Sequence, residues 1–294
     1  MRLRVAAAVA AFWALAAAPA GATAVMWVGL GGQSSQPGVG VLDPSGPSLD
    51  IRESYARVTG VAYDPGLDVL WSFEPTGSSR QPGALRSHDP VTGAELTSVV
   101  EPAFTVGSGI NNTITDLALN PVTGDLWGIT YGDPFSQLFI IDKVDASRSS
   151  LGFDFSHGQN FPAAIAFSDD GRLFSTSLDA DKIWELDPAT GLAIDSWDTQ
   201  SSRKYGLGWD PDAGQLALIT TVASKGNAVS RVTLGDDGFG TLTLVAQVSN
   251  AVLQDVAFVP ELDRNAAPVP LPGAAGLLAA GLAGLGLARR RRRG

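Results

Sequence analysis

Apolar and polar residues alternate with a period of two in many short stretches of this chain, and five of these stretches share one pattern. Each has a small or acidic residue, then an apolar, a small and another apolar residue, and then a polar turn. The five segments align without gaps: TGVAYDP (59–65), TDLALNP (115–121), AAIAFSD (163–169), YGLGWDP (205–211) and QDVAFVP (254–260). A period of two that ends in turn residues predicts a β-strand.

Three more predicted strands follow the first strand in four of the copies. The second strands are DVLWSF, DLWGIT, RLFSTS and QLALIT. The third strands end in Asp-centred turns, as in ALRSHDPVTG (84–93) and KIWELDPATG (182–191), and short fourth strands such as ELTSVV and LAIDSW come next. Four strands per unit, repeated every 42 to 56 residues, are typical of the blades of a β-propeller.

The fifth copy has only its first strand, and the other three strands are found at the start of the chain. AVMWVGL (24–30) resembles a second strand, VGVLDPSGP (39–47) a third, and SLDIRES (48–54) serves as the fourth. The sequence therefore predicts an all-β fold, a β-propeller with five blades of four strands, closed by a split blade. Such pairing of first and last strands would remove an exposed sheet edge. A β-sandwich or a β-helix is the alternative.

The body, residues 25–262, resembles the broad group of NHL, YVTN and WD-repeat-like propellers, and it does so by pattern alone. It has no WD dipeptide with a His partner and no recurrent tryptophan-docking motif of the quinoprotein type. The resemblance implies that the first strands line a central channel and that a ligand would bind at one of its mouths.

The N-terminus has the three parts of a signal peptide, predicted over residues 1–24. Arg2 and Arg4 precede an apolar stretch from Val5 to Ala18, and Ala22-Thr23-Ala24 forms an A-x-A cleavage site. We expect recognition by the Sec export machinery and a mature chain that begins at Val25. An uncleaved anchor helix is the alternative.

The C-terminus predicts a linker over residues 263–272, a transmembrane helix over 273–288 and a cytoplasmic arginine-rich tail over 289–294. The linker ends in the motif Val269, Pro270, Leu271, Pro272, followed by Gly273. Sixteen to eighteen apolar residues approach the roughly 30 Å of a bilayer's hydrocarbon core. The arginine run would stay in the cytoplasm under the positive-inside rule, which places the body outside.

Order and spacing in this tail resemble the VPLPA variant of the PEP-CTERM sorting tails of Gram-negative bacteria, over Val269 to Gly294. Gly273 stands where that family pattern has Ala. The resemblance implies recognition by an exosortase-type membrane enzyme and cleavage near the motif. The protein would be anchored in the membrane first and would then reach the cell surface or the medium. A plain C-terminal membrane anchor is the alternative.

Charge and composition narrow the function of the body. Seven of the twenty basic residues lie at the two ends and all thirty acidic residues lie between them, so the body carries a net charge of −17. Such a body repels polyanions, which argues against nucleic acid as a partner. Cysteine is absent, which excludes disulfides, thiol nucleophiles and thiolate metal ligands.

The residues just before the aligned apolar positions are expected at the channel: Gly60, Asp116, Ala164, Gly206 and Asp255. Asp116 and Asp255 are candidates for holding a polar ligand or a cation such as Ca²⁺ on the axis. The alternative is that each Asp caps a neighbouring backbone turn, as Asp does well. The recurrent Asp-Pro and Asp-Asp-Gly turns are explained by turn geometry.

The sequence contains few signs of a catalytic or metal-binding site. The two histidines, His88 and His157, occupy unlike repeat positions, and no G-x-S-x-G elbow, zinc signature or phosphate loop is found. The on-register tryptophans are predicted to pack between blades, and Trp197, which is off register, is predicted to be exposed. The first functional hypothesis is a non-catalytic, surface-displayed propeller for binding or extracellular-matrix interaction, with a polysaccharide or another surface molecule as its partner. The alternative is a secreted hydrolase or lyase with acidic residues at the channel mouth.

Overall fold

The computed structural model describes residues 24–260, except for 32–36, 44–47, 76–81, 103–112, 131–135, 156–161, 178–180, 202–203, 223–225 and 250. The predicted signal-peptide residue Ala22, His157 and the predicted sorting motif Val269 to Gly273 lie outside the described residues. Among the residues described, there is no helix with the length and hydropathy needed to cross a bilayer. The predicted apolar helices at both ends of the chain fall outside them.

The fold is all-β and contains twenty strands in five sheets. The strands are β1 (Val25–Leu30), β2 (Gly38–Leu42), β3 (Leu49–Ser54), β4 (Gly60–Asp64), β5 (Val69–Glu74), β6 (Ala84–His88), β7 (Glu95–Val100), β8 (Ile114–Leu119), β9 (Leu126–Thr130), β10 (Ser136–Ile141), β11 (Arg148–Phe155), β12 (Pro162–Phe167), β13 (Leu173–Ser177), β14 (Lys182–Leu186), β15 (Ala193–Asp198), β16 (Lys204–Asp210), β17 (Gln215–Val222), β18 (Gly226–Leu234), β19 (Gly240–Val248) and β20 (Leu253–Val259).

Each sheet is a four-stranded antiparallel blade, and the five blades form a ring. Four blades use consecutive strands, in the orders β4-β5-β6-β7, β8-β9-β10-β11, β12-β13-β14-β15 and β16-β17-β18-β19. The fifth blade has the order β20-β1-β2-β3. We call this fifth sheet the closing blade, and we call β20, β4, β8, β12 and β16 the inner strands. The predicted five-bladed propeller with a split blade is confirmed.

The closing blade is joined by backbone pairing between the last and the first described strands. Six residue pairs form the seam, from Val25 opposite Val259 to Leu30 opposite Leu253, with a bulge after Gly29. This pairing occupies the edges that β1 and β20 would otherwise leave open.

Side chains between adjacent blades form the core. One cluster, for example, joins Ile129 and Leu138 of one blade to Ile165 and Leu173 of the next. Of the four on-register tryptophans predicted to pack between blades, Trp71 and Trp127 are each only 5% exposed, whereas Trp184 and Trp209 are only partly buried against the core clusters. The prediction for Trp197 is wrong: it is 7% exposed, and its indole N–H donates to the carbonyl of Gly235 in the neighbouring blade, at 3.0 Å.

The turns after the inner strands explain the recurrent Asp residues. Asp64 accepts hydrogen bonds from the amides of Gly66 and Leu67 through one carboxylate oxygen. Asp210 does the same for Asp212 and Ala213. The turns between third and fourth strands use Asp89, Asp142 and Asp187 in the same way. Self-capping of this kind is what Asp provides in tight turns.

Candidate functional site

The inner strands approach one another closely around the axis because the residues there are small. A Cβ atom at Gly60 on β4 would lie 2.7 Å from the amide nitrogen of Leu117 on β8. A Cβ atom at Gly206 on β16 would lie 2.4 Å from the carbonyl oxygen of Gln254. Neither contact is possible for a real side chain, so glycine sets how tightly the ring closes at these positions.

Asp116 and Asp255 lie together at the axis, at the channel positions that the alignment predicts. Both residues are 0% exposed, and their carboxyl groups are hydrogen-bonded to each other. They belong to β8 and β20, whose blades are separated in the ring by the blade of β4. The contact therefore spans the axis.

Each carboxyl also joins its own inner strand to the next one. Asp255 Oδ2 accepts the amide of Val61 on β4 at 2.6 Å, and Asp116 Oδ2 accepts the amide of Ile165 on β12 at 2.8 Å. The Oδ1 atoms accept the amides of the following residues, Val256 at 2.7 Å and Leu117 at 2.9 Å. All four carboxyl oxygens thus have a backbone donor. Backbone capping is the alternative role that the sequence predicts for these two residues. The structure shows such capping, but two of the four capped amides belong to neighbouring blades.

Burial raises the pKa of both carboxyl groups. For Asp116, removal from water raises the pKa well above its ordinary value, and the charge of Asp255 and the hydrogen bond between them raise it further. For Asp255, burial raises the pKa to about 7, although hydrogen bonds from Asp116 and from the backbone act in the opposite direction. Two like charges in one dry site are unfavourable, so the pair retains a shared proton.

The pair supplies only two carboxyl groups to any cation. Within the described part of the chain, no three His, Cys, Asp or Glu side chains lie close enough together to hold a metal ion. Hard cations such as Ca²⁺ take six to eight oxygen ligands. The amides that point at the carboxyl oxygens present positive dipole ends, which compete with a cation.

A cavity of about 290 Å³ lies along the axis, next to the carboxyl pair. We call it the axial pocket. All five inner strands line it with residues of the same register, starting one residue after the axis positions. The innermost lining residues are Val61, Leu117, Ile165, Leu207 and Val256; the next are Ala62, Ala118, Ala166, Gly208 and Ala257. This wall is apolar throughout.

Towards its mouth the axial pocket becomes aromatic and then proline-rich. Four strands place an aromatic residue at one register and the fifth places a leucine: Tyr63, Phe167, Trp209, Phe258 and Leu119. At the rim, four strands place a proline and the fifth an aspartate: Pro65, Pro121, Pro211, Pro260 and Asp169. Among the described lining residues, Asp169 is therefore the only one with an acidic or basic side chain.

Asp169 differs from the other turn aspartates in its contacts. Its side chain is exposed, and within the described residues its carboxylate has no hydrogen bond or ion pair. The neighbouring Asp170 instead accepts the hydroxyl of Ser168. Asp169 is the first central residue of a short turn in which the amide of Gly171 bonds to the carbonyl of Ser168. The sequence alignment contained this position without indicating its significance.

His88 lies away from the axis, at the end of β6, and is completely buried. One ring nitrogen contacts Ser72 Oγ at 2.8 Å and the other contacts the carbonyl oxygen of Gly93 at 3.2 Å. The carbonyl requires a donor, so the ring nitrogen facing it carries the proton and Ser72 donates to the other. Burial lowers the pKa of His88 to about 4. Ser72 is also 0% exposed, so this pair is part of the core.

No protein-family model and no curated protein sequence matches the chain. Similar solved structures include a chain of the nidogen/laminin complex, with 10% identity and a TM-score of 0.50, over 80% of this chain and 98% of that one. TolB from Acinetobacter baumannii has 14% identity and a TM-score of 0.48, over 81% and 67%. A periplasmic gluconolactonase from Pseudomonas aeruginosa has 11% identity and a TM-score of 0.47, over 80% and 99%. At these identities the likeness concerns the fold alone.

Sequence reasoning thus located the axis but did not find the pocket. Gly60, Asp116, Ala164, Gly206 and Asp255 were aligned correctly, and the structure brings Asp116 and Asp255 into contact. The signal that could have revealed the pocket was present three residues after the axis position, where the five segments read Tyr, Leu, Phe, Trp and Phe. Of those five residues only Trp209 had been assigned a place, as one of the tryptophans expected to pack between blades.

Proposed function

We propose that this protein is an exported, surface-sorted binding protein whose propeller takes a ligand in the axial pocket without transforming it. The observation that carries the proposal is the contrast between the two parts of the axis. The apolar pocket is open at its rim, whereas the acidic residues next to it, Asp116 and Asp255, are fully buried. Concave, mostly apolar sites with a few polar groups are typical of small-molecule binding.

Among the described lining residues no pair of acid and base groups is within reach of a ligand, which supports binding over catalysis. A general acid or base must come within hydrogen-bond distance of the substrate. Asp116 and Asp255 are 0% exposed and their oxygens accept backbone amides. Among the described lining residues, Asp169 alone has an acidic or basic side chain, and it lies at the rim. A single exposed carboxylate without a partner residue is a poor catalytic unit.

Export and sorting belong to the same proposal and are supported by the two chain ends. The A-x-A site ends at Ala24, and β1 begins at Val25, so cleavage there would leave the seam strand complete. The proposed partners are the Sec export machinery and then an exosortase-type enzyme acting near Val269 to Gly273. N-terminal sequencing and intact-mass measurement of the exported protein test this part. A mature chain that retains residues 1–24, or a tail that is never cleaved in an exosortase-containing host, would contradict it.

Ligand-observed NMR against a library of small apolar and aromatic compounds tests the binding function. The purified, exported chain is compared with its Leu119→Trp variant. Leu119 is the one non-aromatic residue at its register, so tryptophan fits the pattern of the ring while filling the pocket. We expect binding to the parent protein and loss of binding in the variant. Library-wide absence of binding would overturn the pocket as a ligand site, and turnover of a polysaccharide or lactone would overturn the non-catalytic function.

One observation keeps the hydrolase or lyase alternative testable: two carboxyl groups do meet at the axis. Paired carboxyl groups are the machinery of glycoside hydrolysis. If this alternative holds, the protein turns over a polysaccharide, and Asp116→Asn and Asp255→Asn each abolish that turnover while the protein stays folded. Unchanged turnover in both variants would remove the pair from any catalytic role.

A further inference from the structure

The axial pocket combines an aromatic wall with a single negative charge at its rim, and this combination restricts the ligand. Tyr63, Phe167, Trp209 and Phe258 come from four different inner strands and reach the pocket at one level. The prolines of the rim, such as Pro65 and Pro211, add apolar surface and bring no side-chain donor or acceptor. The wall therefore favours a ligand with an apolar or aromatic body.

The charge is placed on one side of the mouth. Asp169 lies at the rim just after β12, at the position where each of the other four inner strands is followed by a proline. Its carboxylate is exposed and is not engaged by any described residue, so its charge is available to a ligand. A cationic group on the ligand would gain an ion pair with Asp169, and aromatic faces within about 6 Å also attract cations. An anionic group in the same place would be repelled.

We propose that the axial pocket binds small organic cations, in which an ammonium group is carried on an apolar or aromatic body. The body lies among the aromatic residues and the ammonium group lies at Asp169. This inference rests on the proposed function, because it assigns a ligand class to the same pocket. The volume of about 290 Å³ is near the lower end of the range for ligand pockets, about 300–1,000 Å³, which suits a single-ring amine.

Three probes with one common body separate the contribution of charge from that of the apolar wall. They are 2-phenylethylammonium, neutral 2-phenylethanol and anionic phenylacetate, and their affinities for the purified, exported chain are measured by titration calorimetry or NMR. We expect the ammonium to bind about fivefold more tightly than the alcohol, which is the scale of an exposed ion pair. The acetate should bind most weakly. Raising the salt concentration should weaken only the ammonium complex.

Two matched variants test whether the carboxylate of Asp169 is the group that attracts the ammonium. Asp169→Asn should weaken 2-phenylethylammonium about fivefold and leave 2-phenylethanol unchanged. Asp212→Asn is the control, since Asp212 is an exposed aspartate in the equivalent turn of the next blade and does not line the pocket; it should change neither affinity. Leu119→Trp should remove the binding of both probes, which fixes the site to the axial pocket.

The outcomes distinguish this inference from the function on which it rests. If the alcohol binds as tightly as the ammonium, or if Asp169→Asn has no effect, the cation proposal is wrong while the pocket remains a binding site. If both probes still bind to the Leu119→Trp variant, their site lies elsewhere and the cation proposal is wrong. If no probe and no library compound binds, the proposed binding function itself fails.

Discussion

The carboxyl groups of Asp116 and Asp255 are hydrogen-bonded to each other across the ring axis, although their inner strands belong to blades that are not neighbours. Through the amides of Ile165 and Val61 the same two side chains reach two further inner strands. Four of the five inner strands are thus joined by one hydrogen-bonded unit. The stability that such a buried pair contributes depends on pH, because the pair is favourable only while it keeps a proton.

Asp116→Asn should make the protein less sensitive to rising pH. A carboxyl whose folded pKa is raised keeps its proton after the unfolded chain has lost it, at a pKa of about 3.9. The stability it contributes is full below that value and is lost as the pH rises towards the folded pKa, which for Asp116 lies well above the ordinary value. The loss is at most about 1.4 kcal/mol per pH unit. The variant should therefore gain stability relative to the parent between pH 4 and 7.

Urea unfolding of both proteins at several pH values measures this difference. Asp212→Asn, which changes an exposed carboxylate in a turn, is the control and should follow the parent at every pH. A constant difference between Asp116→Asn and the parent across this range would show that the pair does not hold an extra proton.

His88→Gln should have the opposite pH dependence. Burial lowers the folded pKa of His88 to about 4, whereas the unfolded chain takes up a proton near 6.5. The parent therefore loses stability as the pH falls from about 6.5 to 4, by at most about 1.4 kcal/mol per unit. The glutamine variant does not titrate, so its disadvantage against the parent should be largest at pH 7 and should shrink in acid. A disadvantage that stays the same at pH 5 and pH 7 would contradict the neutral, buried imidazole.

Removing only one partner of the ion pair between Glu101 and Arg148 should lower the unfolding free energy strongly. The side chains are 3% and 2% exposed, and the guanidinium lies 5.6 Å from the ring centres of Phe73 and Phe139. Glu101→Gln leaves a buried arginine without a counter-charge, so we expect a loss of about 3–5 kcal/mol in unfolding free energy. Combining Glu101→Leu with Arg148→Met should recover most of that loss.

An exposed ion pair provides the control for that measurement. Arg172 is 47% exposed and pairs with Glu185 at 2.5 Å. Glu185→Gln should cost less than about 1 kcal/mol, because water screens such pairs. Equal losses for Glu101→Gln and Glu185→Gln would mean that burial does not decide the strength of these pairs.

Gly206→Ala should damage the ring far more than Gly214→Ala. A Cβ atom at Gly206 would meet backbone atoms of β20 at 2.4 and 2.5 Å, so the inner strands would have to separate. We expect a loss of several kcal/mol, at or beyond the usual range for overpacking. Gly214 has φ +61° and no atom within 4 Å of the added carbon, so alanine there costs only about 1–2 kcal/mol of backbone strain. Thermal unfolding of the two variants tests the ranking.

The repeat made the architecture predictable from the sequence. Strands such as β4 and β16 carry the same short alternation and the same capped turn, and the three strands missing from the last copy are found at residues 24–54. Local pattern and ring closure point to one fold, which is why blade number and strand order were both correct.

The contacts across the ring were not predictable in the same way. The alignment placed Asp116 and Asp255 at equivalent positions, but their hydrogen bond depends on the radius of the ring, which small residues such as Gly60 and Gly206 determine. Trp197 was misjudged because its partner, the carbonyl of Gly235, lies in the neighbouring blade. Register within a blade contains no information about contacts between blades.

The seam between β1 and β20 also determines how the domain would respond to force. The chain contains no cysteine, so no disulfide reinforces the six residue pairs that close the ring. Tension applied to the chain beyond Pro260 would load β20 before any other strand. Peeling β20 away would separate Asp255 from Asp116 and from β4 in the same event. The strand that completes the circle is therefore also the strand whose extraction would mechanically open it.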